Sequence, residues 1–278
     1  MDREIQNSRA VRFLELHHSH HILVLPNAWD ATSARIFAQA GFSAIGTTSA
    51  GIAASLGYPD GQHIGLPWMR EAVQRITRVV SIPVSADIEA GYGDTPEDLE
   101  NTAREVIRMG AVGLNLEDSS QNSESPLIEI GRQVDKIRAV RAVADKMDIP
   151  LVINARTDVY LKIHGEAGDL LDQAVRRANA YHKAGADCLF VIGVQDKETI
   201  VRLVHQINGP VNVLAGKGSP TIPELQELGV ARVSFGAGPM RATLTLLKDI
   251  ASELKSTGTY SFSERALSHA EMDRLFTP

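Results

Sequence analysis

The stretch Ile82-Pro-Val-Ser-Ala-Asp-Ile-Glu-Ala-Gly-Tyr-Gly93 decides the fold. Behind Pro83, the residues Val84, Ala86 and Ile88 alternate with Ser85, Asp87 and Glu89, the period of a strand with one apolar face. Gly91 and Gly93 break that strand into a loop. Thr95-Pro-Glu-Asp98 then reads as a capping box with proline at the first helical position, so a helix follows and stops at Gly110. Strand, glycine loop and capped helix make one βα unit.

The unit repeats in both directions. Strands are predicted at 22–26, 42–48, 82–89, 112–117, 150–155, 188–192, 210–214 and 231–235. Helices are predicted at 30–40, 67–80, 95–110, 134–146, 170–184, 197–207, 222–228 and 239–254. Asp30 is placed as an N-cap, with Gly41, Gly185 and Gly229 as stops. Residues 1–20 read as one more helix. It ends in Leu16-His-His-Ser-His-His21, read as a polar helix end rather than a metal site. Eight βα units without a linker predict a single-domain (β/α)8 TIM barrel, over about residues 20–245, with an N-terminal helix and a helical C-terminal tail. An open doubly wound sheet competes, but no G-x-G-x-x-G follows the first strand. Ala215-Gly-Lys-Gly-Ser219 is no phosphate loop either, since Val211 stands where the first glycine is needed. The tail, polar and then amphipathic, is expected to pack on a neighbouring subunit.

The totals narrow the function. A chain of 278 residues can bury a large core. A net charge of −6 leaves no electrostatic footprint for nucleic acid or an anionic membrane. The single Cys188 excludes an intramolecular disulfide framework, and its place inside a predicted strand makes it a core thiol. No apolar run is long enough to span a membrane, and Met1-Asp-Arg-Glu-Ile-Gln is too polar for a signal peptide, so a cytoplasmic protein is expected.

In such barrels the chemistry sits at the C-terminal ends of the strands. Asp87 and Glu89 share a strand face there, and Asn115 and Glu117 point inward if Leu114 and Leu116 face the helices. Asn154 and Arg156 share a face of the next strand, followed by Asp158, and Asn212 lies two strands on. The acids Asp87, Glu89 and Glu117 thus converge on one rim, where they repel one another unless compensated. A Mg²⁺ ion with retained waters would compensate them, as would Mn²⁺. A solvated loop of surface acids is the plainer reading. Arg156 can clamp a carboxylate or phosphonate bidentately, or pair structurally with these acids. The Thr48-Ser49-Ala50-Gly51 turn is an anion nest or merely a tight strand exit. Metal, clamp and nest together suit a small α-oxo acid whose enolate is stabilised after a neighbouring bond breaks.

Five pieces sharpen this: Leu25-Pro-Asn-Ala-Trp-Asp30, Gly51-Ile-Ala-Ala-Ser-Leu-Gly-Tyr-Pro-Asp60, Asp87-Ile-Glu-Ala-Gly-Tyr-Gly93, Gly113-Leu-Asn-Leu-Glu-Asp118 and Asn154-Ala-Arg-Thr-Asp158. In this order they resemble the isocitrate lyase and phosphoenolpyruvate mutase superfamily. The resemblance implies a Mg²⁺ site at Asp87 and Glu89, with Glu117 on the next strand. It implies Arg156 as the carboxylate clamp, Thr48, Ser49 and Ala50 in the substrate-binding turn, and Asp60 close to the reacting centre. Trp29, Asn154 and Asn212 are further substrate-binding candidates, as are Asn122 and Ser123 in the loop that gates such sites. A homodimer or homotetramer that exchanges its last helix is implied as well.

The chain departs from the pattern in that loop. Isocitrate and methylisocitrate lyases carry Lys-Lys/Arg-Cys-Gly-His after the fourth strand, where this chain has Ser119-Ser-Gln-Asn-Ser-Glu-Ser-Pro126. The phosphoenolpyruvate mutases place a lysine before an Asn-Ser pair, and here Asn122-Ser123 stands without it. The expected activity is Mg²⁺-dependent cleavage of a C–C bond, or decarboxylation, in a small 2-oxo or 2-hydroxy acid. P–C chemistry on a phosphonate and an oxo-acid binder with little turnover are the alternatives.

Overall fold

The computed structural model describes residues 2–277. Helix α1 (Arg3–His17) precedes β1 (Leu23–Leu25) and β2 (Asn27–Ala28), which are two halves of one strand broken at Pro26. The break sits where the sheet closes. β1 pairs with the last strand of the chain, whereas β2 pairs with the next one. Proline has no N–H for the ladder, but its carbonyl still accepts from Gly46 N at 2.9 Å.

The chain continues through α2 (Ala31–Gln39), β3 (Ile45–Thr47), α3 (Ser49–Ser55), α4 (Leu66–Val79), β4 (Val84–Asp87), α5 (Pro96–Arg108), β5 (Gly113–Glu117) and α6 (Ile130–Lys146). The second half runs β6 (Val152–Thr157), α7 (Val159–Lys162), α8 (Ala167–Lys183), β7 (Cys188–Val191), α9 (Lys197–Gln206), β8 (Val211–Leu214), α10 (Ile222–Glu227) and β9 (Arg232–Ser234). All strands are parallel, in the order β1-β9-β8-β7-β6-β5-β4-β3-β2, so the predicted TIM-type α/β barrel is the observed architecture. The predicted caps form. Thr95 and Asp98 cap α5 reciprocally, and Asp30 and Ser33 do the same for α2.

Three local expectations are corrected. The segment after Thr48 is not an open turn but the helix α3, for which Thr48 is the N-cap. Its residues Ser-Ala-Gly-Ile-Ala-Ala-Ser are too small to show an apolar stripe. The strand carrying Asp87 ends at that residue. Glu89 lies beyond it with φ +53°, so the period of two does not place these acids on one strand face. His17 is buried in the interior, not part of a solvated helix end.

Helix α1 closes the N-terminal end of the barrel. Its Gln6 donates to Ile107 O in the last turn of α5 at 2.7 Å and to Ala111 O before β5 at 3.1 Å, and its Asn7 to Asp148 O before β6 at 2.8 Å. Phe13 lies against Gly113 so closely that a Cβ there would stand 2.6 Å from its ring. At the other terminus, α11 (Gly238–Ser256) buries only Met240 and exposes Leu244, Leu246, Leu247 and Leu254. A short 3₁₀ turn leads to α12 (His269–Phe276), whose Leu275 is buried and whose backbone accepts from Arg35 and Gln39 of α2. No described helix is long and apolar enough to cross a membrane.

Candidate active site

The C-terminal ends of β3 to β6 gather the charged groups. Asp87 ends β4 with one oxygen held and one free. Its Oδ2 accepts from Ser49 N at 3.0 Å and Ser49 Oγ at 2.8 Å, and its buried Oδ1 has no partner. The predicted nest is therefore largely spent inside the protein. Ser49's amide serves Asp87, and Gly51's faces Thr48 Oγ1 at 3.4 Å.

Glu89 is held from the outer side. Its Oε2 accepts from Gln62 N at 2.5 Å and its Oε1 from Tyr92 OH at 3.2 Å, while Gln62 Oε1 accepts from Tyr92 N at 2.7 Å. Gln62, Glu89 and Tyr92 all have positive φ without being glycine, a concentration of backbone strain typical of a working site. Lys136 props the same loop by donating to Ala90 O at 2.7 Å.

Arg156 is already loaded. Its Nε and Nη2 fork onto Asp158 at 2.6 and 2.8 Å, and its Nη1 meets Glu117 Oε2 at 2.7 Å. The ion-pair reading is thus realised, yet a guanidinium has five N–H donors, and one on each terminal nitrogen remains for a ligand. Asp118, absent from the candidates, holds this corner from behind. Wholly buried, it accepts from Thr157 Oγ1 (2.8 Å), Asp158 N (2.9 Å), Arg177 Nη1 (3.0 Å) and Tyr181 OH (2.7 Å). Arg177 also donates to Ile128 O at 2.8 Å, anchoring the far end of the loop after β5. Asp118 ends the Gly113–Asp118 piece, and Arg177 and Tyr181 stand at (i, i+4), the signals that could have found this network.

Two adjoining cavities open here, of about 230 Å³ and 430 Å³, and both are bounded by Ser49, Asp60, Arg156 and Leu161. The inner one also touches Asp87, Asn115, Thr48 and Ala50, and the outer one Glu89, Glu117 and Asp158. A third space, of about 730 Å³, lies across the Ser119–Gln121 segment and has Asn122 in its wall. Ser123 is exposed on the same loop. Trp29 is not drawn into either rim cavity. Its backbone N–H caps α2 through Ser33, and its Cβ packs beside Gly51. Asn154 and Asn212 form the floor beneath the inner cavity. Asn154 donates to Asn115, and Asn212 accepts from Ser234.

Five carboxylates share this rim with one guanidinium, and the acids register it. Burial, then Asp87, raise the Asp60 carboxyl. Burial, then Asp87 and Asp60, push Glu89 up to about 7. Burial raises Glu117 as well, against the pull of Arg156. The Arg156 guanidinium loses solvation on burial, but Glu117 and Asp158 outweigh that and hold it charged. Such excess acidity suits a cation. Among the described residues, however, no three His, Cys, Asp or Glu groups stand close enough to cage a metal. Asp87, Glu89 and Glu117 are not gathered into a ready-made ligand set. What fits is an ion with few direct carboxylates, taken up at the unpartnered Oδ1 of Asp87, with water or ligand oxygens around it.

The sequence model of the phosphoenolpyruvate phosphomutase family matches residues 13–255. The chain belongs to this family. Within the wider isocitrate lyase and phosphoenolpyruvate mutase superfamily, 2-methylisocitrate lyase of Escherichia coli K12 is 31% identical over 244 residues, covering 83% of this chain and 79% of its own. Oxaloacetate decarboxylase 1 of Pseudomonas fluorescens Pf0-1 is 30% identical over 262 residues, covering 90% and 85%. The crystal structure of a 2,3-dimethylmalate lyase superposes with a TM-score of 0.84 at 26% identity, over 96% of this chain and 94% of that one. These relatives of the family cleave or decarboxylate at carbon–carbon bonds, so a lyase role is the shared ground.

Proposed function

We propose that this protein is a Mg²⁺-dependent lyase of small 2-oxo acids, acting best by decarboxylation of a substrate such as oxaloacetate. One observation carries the reading. The rim presents an unpartnered Asp87 oxygen and a buried guanidinium with spare donors around the inner cavity, while the loop beside it offers no cysteine, lysine or histidine. Asp87 would hold Mg²⁺ through its free Oδ1, and the ion, when bound, would supply Lewis-acid stabilisation of an enolate. Arg156 would bind the carboxylate through its spare N–H groups, and Asp158 and Glu117 hold the guanidinium in place. In the decarboxylation the C–C bond to the leaving carboxylate breaks, CO2 departs, and the electron pair passes into the enolate. Asp60, its carboxyl raised by partial desolvation and by Asp87, would be the group that passes a proton to the enolate carbon. The loop from Ser119 to Glu129 would close over the rim and exclude water, contributing hydrogen bonds from Ser120, Asn122 or Ser123.

Cleavage of a 2-hydroxy acid needs a base for the hydroxyl proton, and decarboxylation does not. Steady-state assays with Mg²⁺ on oxaloacetate, 2-methylisocitrate, 2,3-dimethylmalate and phosphonopyruvate test the reading. Oxaloacetate should have the highest kcat/KM. Faster turnover of 2-methylisocitrate would overturn the argument from the loop, faster turnover of phosphonopyruvate would move the chain to P–C chemistry, and binding without turnover would make it an oxo-acid binder.

We propose also that the exposed leucine face of α11 is covered by a second copy, in a dimer or tetramer that exchanges terminal helices. Light scattering at the mass of a single 30.1 kDa chain would refute this.

A further inference from the structure

Beneath the inner cavity the barrel holds a buried cation that no ion pair explains. Arg232 on β9 is fully buried; its Nη2 donates to Asn115 Oδ1 at 3.2 Å, and its Nε and Nη1 reach no acceptor. The same Asn115 Oδ1 accepts from Asn154 Nδ2 at 2.8 Å. A guanidinium can only donate. The Asn115 atom that faces Arg232 is therefore the carbonyl oxygen, and the amide cannot turn over without setting its NH2 against the guanidinium. With the oxygen fixed toward the floor, the NH2 is the end left for the cavity. Asn115 lines that cavity and is the register partner of Asp87.

We propose that Asn115 binds the ligand by donating an N–H to one of its oxygens, and that Arg232 and Asn154 are positioning residues that lock the amide in that orientation. The inference rests on the reading of the cavity as an oxo-acid site, and adds a neutral donor at its inner end, beside the guanidinium of Arg156. Such a donor serves any acceptor oxygen and gains most from one that bears negative charge, a carboxylate or an enolate oxygen. A purely structural role is a poor account of Arg232. A buried cation without a carboxylate is costly, and an apolar side chain of similar size would serve the core better.

Oxalate, titrated calorimetrically into the full-length protein with Mg²⁺, tests this, together with NMR of the side-chain amide of Asn115 in ¹⁵N-labelled protein. Wild type should bind oxalate, and its Asn115 NH2 signals should shift on binding. Asn115→Ala should bind about tenfold or more weakly, the scale of losing one hydrogen bond to a charged group. Arg232→Met should melt no lower than wild type, yet bind oxalate several-fold more weakly and lose the oxalate-induced shift of Asn115. If both variants bind oxalate as wild type does, or the Asn115 signals of wild type ignore oxalate, the inference falls while the oxo-acid reading stands. If wild type itself does not bind oxalate, that reading falls and takes the inference with it.

Discussion

The two ends of the barrel handle charge in opposite ways. At the N-terminal end α1 brings Phe13 and His17 under the strands, and His17 is held neutral, its imidazole pushed down to about 3 by burial and by the nearby charge of Arg232. Phe13 and His17 meet edge to face at 4.8 Å. At the C-terminal end the acids Asp60, Asp87, Glu89, Glu117 and Asp158 crowd around one guanidinium, on backbone that is strained at Gln62, Glu89 and Tyr92. Asp87, Glu89 and Asp158 are buried, as are Phe13 and His17, so burial alone does not separate the two ends. What separates them is the charge each end keeps. The plug holds a neutral imidazole, with Nδ1 on Phe13 O at 2.8 Å and Nε2 without a partner, whereas the rim leaves Asp87 Oδ1 bare and several carboxyls raised.

The comparison predicts that substitutions at the two ends separate stability from binding. Phe13→Ala should be the most destabilising, by about 3–5 kcal/mol in denaturant unfolding, because it empties a fully buried aromatic site. Oxalate affinity of the fraction that remains folded should be unchanged. Equal losses at both would erase the distinction.

Arg156→Lys tests the opposite end. It keeps the charge and loses the planar fork, so oxalate binding should weaken by about 2–4 kcal/mol. Normal oxalate binding in that variant would reduce Arg156 to a structural ion pair with Asp158 and Glu117.

A smaller effect comes from His17 through pH. Its folded pKa lies below the unfolded value, so between about pH 6.5 and 3 the unfolded chain takes up a proton that the folded one refuses. The stability it contributes is complete above pH 6.5 and is lost as the pH falls. Between pH 7.5 and 5.0 wild type should lose about 2 kcal/mol more than His17→Met. Parallel losses in the two proteins would mean that His17 charges freely and that the plug is not closed.

Much of this contrast could be read from the chain, but unequally. Glycine and proline punctuation gave the eight βα units, since Gly41, Gly110, Gly185 and Gly229 all follow helices with positive φ. Pro26 was the exception. It divides a strand instead of ending it, because its neighbours on the two sides are different strands. Asp87, Glu117 and Arg156 were legible because strand period and residue type point to a rim. Their pairing was not, because nothing in sequence says that Asp158 rather than a ligand takes the fork. Helix α3 was hidden by its small residues, and Glu89 by a left-handed backbone that only tertiary contacts with Gln62 and Tyr92 enforce. Arg232 and His17 were the least legible of all. A buried charge and a buried neutral histidine both break the pattern by which buried positions are recognised.

The central claim is that Asp87 holds the cation on which oxo-acid binding depends. Calorimetric titration of Mg²⁺ with oxalate into wild type and Asp87→Ala tests it most directly. Wild type should take up both together. Asp87→Ala should take up neither, while its thermal unfolding remains cooperative. Undiminished Mg²⁺ and oxalate binding in Asp87→Ala would contradict the account.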